Sequence, residues 1–176
     1  MLREDFLESY WQYKLEEAAA YNATPNPEEE PYKNLYKARK IYQEILGDPL
    51  LDEAQFLNSP KEEDELSLDQ LVNNHPNSSK GVSESESLHM DVVALKAFLN
   101  YLLGNNFFDT DENSLATKHY QVFLETLSRL PFTRAVNFFN YVQDSFNKLG
   151  LVFLNGDEDD KGMAYLLKSK KLYEKL

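Results

Sequence analysis

The chain contains no cysteine. Disulfides, thiolate metal sites and thiol nucleophiles are therefore excluded. Glycine and proline are scarce, six and seven residues among 176, which excludes collagen-like and low-complexity readings. Long apolar runs are missing too. Runs such as Leu151–Leu154 fall far short of the ~20 residues that span a bilayer. Basic residues are the minority, 18 against 30 acidic ones, for a net charge of −12. That balance argues against nucleic acid as a partner, since phosphate-backbone affinity rests on Lys and Arg. The opening MLREDFLESYWQYK lacks an apolar h-region, so no secretory signal is expected. Without one, the sequons at Asn22 and Asn77 read as chance matches.

What the chain does have is aromatic and aliphatic bulk. Eleven Phe and eleven Tyr stand within 42% hydrophobic residues, and the length suits one domain with a substantial core. The charge is unevenly spread. Residues 48–87 hold ten acidic and two basic residues, a net charge of −8, while 1–47 carry −3 and 88–176 carry −1. The middle window also holds seven Ser and three Pro, in stretches such as KEEDELSLDQ and GVSESES. It is too long for an ordinary loop and too polar for a core segment. Three regions follow: an N-terminal helical hairpin over 1–47, an acidic, disordered insertion over 48–87, and two further hairpins over 88–176.

Outside the insertion the apolar spacing is helical. A helix over about 3–22 carries two stripes, Leu7, Trp11, Leu15 and Ala18, and Phe6, Tyr10 and Tyr13, which implies packing on more than one side. Thr24-Pro25-Asn26-Pro27 ends it. A second helix over 31–46 buries Tyr32, Leu35, Tyr36, Tyr42, Ile45 and Leu46, with Gly47 as its cap. A third over 87–103 is apolar nearly all round and is broken by Gly104-Asn105-Asn106. A fourth opens near Asp111, turns Leu115, Ala116, Tyr120, Phe123, Leu127 and Leu130 inward, and stops at Pro131. A fifth spans 133–154, and a sixth starts with Asp157 as its N-cap.

The helices repeat. An offset of 46 residues places Asp111-Glu112 on Asp157-Glu158, Ala116 on Gly162, Tyr120 on Leu166 and Gly104 on Gly150. In the second copy, Phe146-x-x-Leu149-Gly150-x-x-Phe153 followed by Gly162-x3-Leu166 resembles the tetratricopeptide pattern W-x2-L-G-x2-Y…A-x3-F. Gly150 would let the paired helix approach, while Phe146, Leu149 and Phe153 fill the space between. The period is longer than the usual ~34 and no Pro closes the repeat. The expected fold is an all-α, tetratricopeptide-like α-solenoid fragment of six helices in antiparallel pairs, against an ordinary helix bundle as the alternative.

The sequence also resembles the N-terminal part of the kinesin-family-binding protein family, cytoplasmic regulators of kinesin motors. The resemblance rests on Glu30-Pro31-Tyr32-Lys33 with Tyr36-x-Ala38-Arg39, then an acidic insertion, Asp109-Thr110-Asp111-Glu112, Asn147-Lys148-Leu149-Gly150, and Ala164-Tyr165-Leu166 with Ser169 and Leu172-Tyr173. Family members are much longer, so the chain reads as a fragment whose C-terminal part lies elsewhere in the same protein. The resemblance implies a cytoplasmic, cytoskeleton-associated, non-enzymatic scaffold. It would bind kinesin motor domains and inhibit their attachment to microtubules.

Chemistry gives little to set beside this. Glu86-x-x-His89 is half of a di-iron spacing, and neither His75 nor His119 completes it. Gly-rich phosphate loops and hydrolase signatures are missing. No catalytic, cofactor-binding or metal-ligating residue is expected, and a small helical enzyme using His119 is the remote alternative. A chaperone adaptor would want Asn after Gly150, where Leu151 stands. Glu62, Glu63, Asp64, Glu65 and Asp69 form the candidate partner-binding arm, suited to the basic face of a motor domain. Otherwise they are a solvated linker, and the chain is a general adaptor for another protein. Ser59, Ser83 and Ser85 are candidate phosphorylation sites that would deepen the arm's charge.

Overall fold

The computed structural model describes residues 3–49, 51 and 84–175. Among them the fold is all-α, with no strand. The elements are α1 (Arg3–Ala23), α2 (Lys33–Leu46), α3 (Glu84–Asp109), α4 (Asn113–Ser128), a one-turn α5 (Phe132–Ala135), α6 (Phe139–Asn155) and α7 (Asp159–Lys175). They fall into two compact units, Met1–Asn58 and Ser59–Leu176.

The first unit is the α1/α2 hairpin. Trp11 and Ala18 of α1 are buried with Ala38, Ile41, Tyr42 and Ile45 of α2. The proline-rich connection is fixed by Asn34, whose Nδ2 donates to the carbonyls of Thr24 (3.1 Å) and Pro25 (3.2 Å). The Asn34 amide in turn donates to Asn26 Oδ1 at 2.7 Å. Asn34 is buried, so these bonds satisfy a polar group that would otherwise be costly. The α2 stripe is correspondingly rotated from the expected one. Tyr36 is 49% exposed and its place inward is taken by Ala38 and Ile41. The second α1 stripe also faces outward at Tyr10 and Tyr13. Gly47 caps α2, its amide reaching Gln43 O at 2.9 Å.

The second unit contains two hairpins, α3/α4 and α6/α7, with α6 lying against α3 and α4. Helix α3 runs straight through Gly104-Asn105-Asn106 to Asp109, correcting the expected break. Tertiary packing overrides local propensity here. A Cβ on Gly104 would sit 2.6 Å from Tyr120 Cδ1, and Asn105 Oδ1 accepts the Tyr120 hydroxyl at 2.7 Å. Both residues are thus chosen for the facing tyrosine.

The turns correct a second expectation. Asp111 and Asp157 are not helix N-caps. Each takes a left-handed conformation, φ 60°, and closes the preceding helix. The Asp111 amide reaches Phe108 O (3.2 Å) and that of Glu112 reaches Phe107 O (2.9 Å). The Asp157 amide reaches Leu154 O (3.2 Å) and that of Glu158 reaches Phe153 O (2.9 Å). This is the Schellman arrangement, written twice with Asp where Gly is usual. Helix α7 then opens at Asp159, with Asp159 and Asp160 in its first turn, favourable for the helix dipole.

The fifth expected helix is interrupted. A 3-10 turn over Val136–Phe138 separates α5 from α6. Its tighter winding lets Phe138 reach Phe123, 6.5 Å between centroids, while Phe139 stays buried. Of the α4 residues expected inward, Leu115 lies at the surface, 41% exposed.

Candidate interaction surface

The six residues read as repeat core sit in the α6/α7 hairpin. Phe146, Leu149, Gly150 and Gly162 are buried, and Phe153 and Leu166 are half-buried. A Cβ on Gly150 would lie 2.8 Å from Leu166 Cδ2, and one on Gly162 would lie 2.6 Å from Leu154 Cγ. The 46-residue offset extends to the rings. His119 stacks on Phe107 at 5.2 Å and 8°, and 46 positions on, Tyr165 stacks on Phe153 at 5.6 Å and 3°. His119 is thus a packing residue, with Nδ1 3.0 Å from Asn100 Oδ1.

A polar seam joins the two hairpins. The Tyr101 hydroxyl donates to Asp144 Oδ2 at 2.7 Å. Lys148 Nζ donates to Asn105 Oδ1 at 2.7 Å and pairs with Asp144 at 3.0 Å. Burial, reinforced by the bonded Asp144 carboxylate, pushes the Tyr101 hydroxyl well above its ordinary range. Burial likewise raises Tyr120, with the charge of Asp144 adding to it. Burial also raises the Asp109 carboxyl, which Lys148 only partly opposes. Neighbouring rings of Tyr101 and Tyr141, 4.7 Å apart, and of Phe98 and Tyr141, 5.6 Å apart, complete the contact. Sequence periodicity places Tyr101 and Asp144 on their helices but not against one another. The signal was available only as polar residues interrupting apolar stripes.

The arm residues Glu62, Glu63, Asp64, Glu65 and Asp69 lie outside the described residues, as do His75, Ser59 and Ser83, whereas Ser85 falls in the first turn of α3, which begins inside the expected insertion. The imidazole of His89 and the carboxylate of Glu86 are likewise undescribed. Among the described residues no group of three or more His, Cys, Asp or Glu could hold a metal ion. None of the described helices is long and apolar enough to cross a membrane. The surface that is described offers side chains suited to protein contacts. On α7 and the adjoining part of α6, Leu151, Met163, Leu167 and Tyr173 are 46%, 50%, 50% and 70% exposed.

The chain is thus an all-α helical-repeat protein. It is similar to KIF-binding protein of Rattus norvegicus, 28% identical over 149 residues that cover 84% of this chain and 22% of the relative. The Homo sapiens KIF-binding protein is 29% identical over 152 residues, 84% of this chain and 23% of the relative. That of Danio rerio is 25% identical over 161 residues, 90% and 25%. Five curated KIF-binding proteins in all match this chain, at 25–29% identity over 84–90% of its length. The chain spans 22–25% of the length of these curated relatives. No protein-family model and no solved structure matches it.

Proposed function

We propose that this chain is a non-enzymatic, tetratricopeptide-like scaffold that binds kinesin motor domains and keeps them off microtubules. The observation that carries this reading is the similarity to KIF-binding proteins across 84–90% of the chain. The repeated hairpin supports it, because stacked hairpins supply extended surfaces for protein partners rather than a catalytic pocket. The regions 1–47, 48–87 and 88–176 serve as hairpin, acidic arm and paired hairpins. The rest of a longer polypeptide completes the scaffold. Its setting is the cytoplasm, beside the microtubule cytoskeleton, with no role for nucleic acid.

The mechanism is occlusion. Glu62, Glu63, Asp64, Glu65 and Asp69 face the basic surface with which a motor domain holds an acidic microtubule, and the helices add bulk beside it. No bond is made or broken. The test is whether the purified chain binds kinesin motor domains and removes them from the microtubule pellet on cosedimentation. Binding without loss from the pellet would leave an adaptor and reject occlusion. Failure to bind would reject the motor as partner for this part of the protein.

A further inference from the structure

We propose that the acidic segment Glu62–Asp69 docks in cis along the outward face of α7. Its carboxylates would meet Lys171 and Lys175, and its leucines Met163 and Leu167. This rests on α7 and on the charge of the segment, and it stands whether or not a motor domain is the partner.

Four residues of α7 at successive i, i+4 positions, Met163, Leu167, Lys171 and Lys175, form one continuous ridge inclined to the helix axis. All four are exposed. The ridge faces away from Gly162, Ser169 and Leu172, which α7 buries. From Lys161 to Lys175 the helix has five lysines and one acid, Glu174. Three of the lysines are already engaged. Lys161 pairs with Glu158 at 2.8 Å and Lys170 with Glu174 at 3.8 Å. Lys168 lies over the rings of Phe146 and Tyr165. Lys171 and Lys175 have no ion pair or ring contact among the described residues.

The segment carries the complementary order. Its acids, Glu62 to Glu65, precede its leucines, Leu66 and Leu68, whereas on α7 the apolar pair precedes the cations. The two match when they run antiparallel. Reach allows it. The pairs Phe98–Tyr141, Tyr101–Asp144 and Asn105–Lys148 keep a constant spacing of 43 residues, so α3 and α6 run in the same direction. Helix α7 returns along α6, with Ser169 Oγ bonded to Gln143 O. Its Lys171–Lys175 end therefore lies toward the end at which the chain enters α3. The 14 residues between Asp69 and Glu84 span up to about 46 Å, longer than α3 itself at about 39 Å. Tethering also raises the effective concentration, so pairs too weak to hold a free peptide suffice within one chain.

The experiment is zero-length carbodiimide cross-linking of the full chain, mixed with an isotope-labelled copy, followed by mass spectrometry of the monomer. The expected result is linkage of Glu62–Glu65 to Lys171 and Lys175 within one copy, without linkage to Lys161, and lost at high salt. Lys171→Gln with Lys175→Gln should abolish it, while Lys118→Gln on exposed α4 should leave it. Circular dichroism should show both variants folded as the parent is, since these lysines are exposed. No cross-link, equal linkage to all lysines, or linkage only between labelled and unlabelled copies would each overturn the docking.

Discussion

Gly150 and Gly162 face each other across the α6/α7 hairpin so closely that neither has room for a methyl group. A Cβ on Gly150 would stand 3.1 Å from Gly162 O, and one on Gly162 would stand 2.9 Å from Gly150 O. Leu166 and Leu154 side-chain atoms stand closer still, but the carbonyl on each side is backbone, which cannot rotate away as they could. Gly162→Ala improves helix propensity by about 1 kcal/mol, yet it should destabilise the protein by about 1–3 kcal/mol through overpacking. Gly150→Leu should cost at least as much. Leu149→Ala, at a fully buried side chain, should cost about 2–5 kcal/mol by opening a cavity. Thermal or urea unfolding measures all three, and a Gly162→Ala protein as stable as the parent would contradict the contact.

The turn after α6 should respond in the opposite sense. Asp157 holds a left-handed φ of 60°, where an L-residue's Cβ crowds the following carbonyl. Asp157→Gly removes that crowding and keeps the amide bond to Leu154 O. A gain of roughly 0.5–1 kcal/mol in unfolding free energy is expected, reduced by the greater entropy of glycine in the unfolded chain. A loss would mean that the Asp157 carboxylate contributes more than its backbone costs.

The two turns also mark what was legible in sequence. Repetition of Asp-Glu at an offset of 46 was readable, and it located both turns. Their geometry was not, because an Asp between helices fits an N-cap and a left-handed C-terminal residue equally well by composition. The run Gly104-Asn105-Asn106 reads as a breaker on local propensity. Only knowledge of Tyr120 across the hairpin makes it helix. Buried aliphatic rows in α4 and α6 were legible from period alone. In α2 the period was ambiguous by one position, and the small Ala38 rather than Tyr36 is buried, as Ala18 is on α1. The polar seam joins residues 43 apart on different helices, a distance at which a single sequence holds no pairing signal.

That seam yields a stability prediction. Tyr101→Phe keeps the ring contact with Tyr141 and deletes the hydroxyl that Asp144 accepts. The expected cost is about 1–2 kcal/mol, since the acceptor is charged and Lys148 still partly satisfies it. In the background of Asp144→Asn the same change should cost less, because the two residues share one bond. A double-mutant cycle by urea unfolding reads the coupling directly, and strict additivity would show that the bond contributes nothing.

Asp109 gives a pH dependence of known sign. Although Asp109 is exposed as a residue, partial desolvation of its carboxyl, only partly opposed by Lys148, holds it above the ordinary range. The folded protein therefore keeps this proton at higher pH than the unfolded chain does. The charged form accordingly weakens the fold as pH rises from the ordinary Asp range through the raised value, and the penalty is complete above it. Asp109→Asn should be more stable than the parent at pH 7. The difference should shrink on acidification and vanish below the ordinary range of an Asp carboxyl. A constant difference across that range would assign the effect to packing rather than ionisation.

The acidic arm is tested by charge alone. Changing Glu62, Glu63, Asp64, Glu65 and Asp69 to Gln or Asn raises the charge of the chain by five units without adding bulk. Exposed charges act chiefly by long-range attraction, screened beyond about 8 Å at physiological salt. If the arm meets the basic face of a motor domain, the variant should associate more slowly, with dissociation little changed. The deficit should be largest at low salt and should close as salt rises. Lys171→Gln with Lys175→Gln should act oppositely, speeding association, because carboxylates held on α7 would then be free for the partner. Stopped-flow association with a purified motor domain across a salt series distinguishes these outcomes. Equal low-salt rates for the parent and the five-fold variant would reduce the arm to a linker and move recognition onto the helices. The exposed Tyr173 and Leu167 of α7 would then be the first residues to replace.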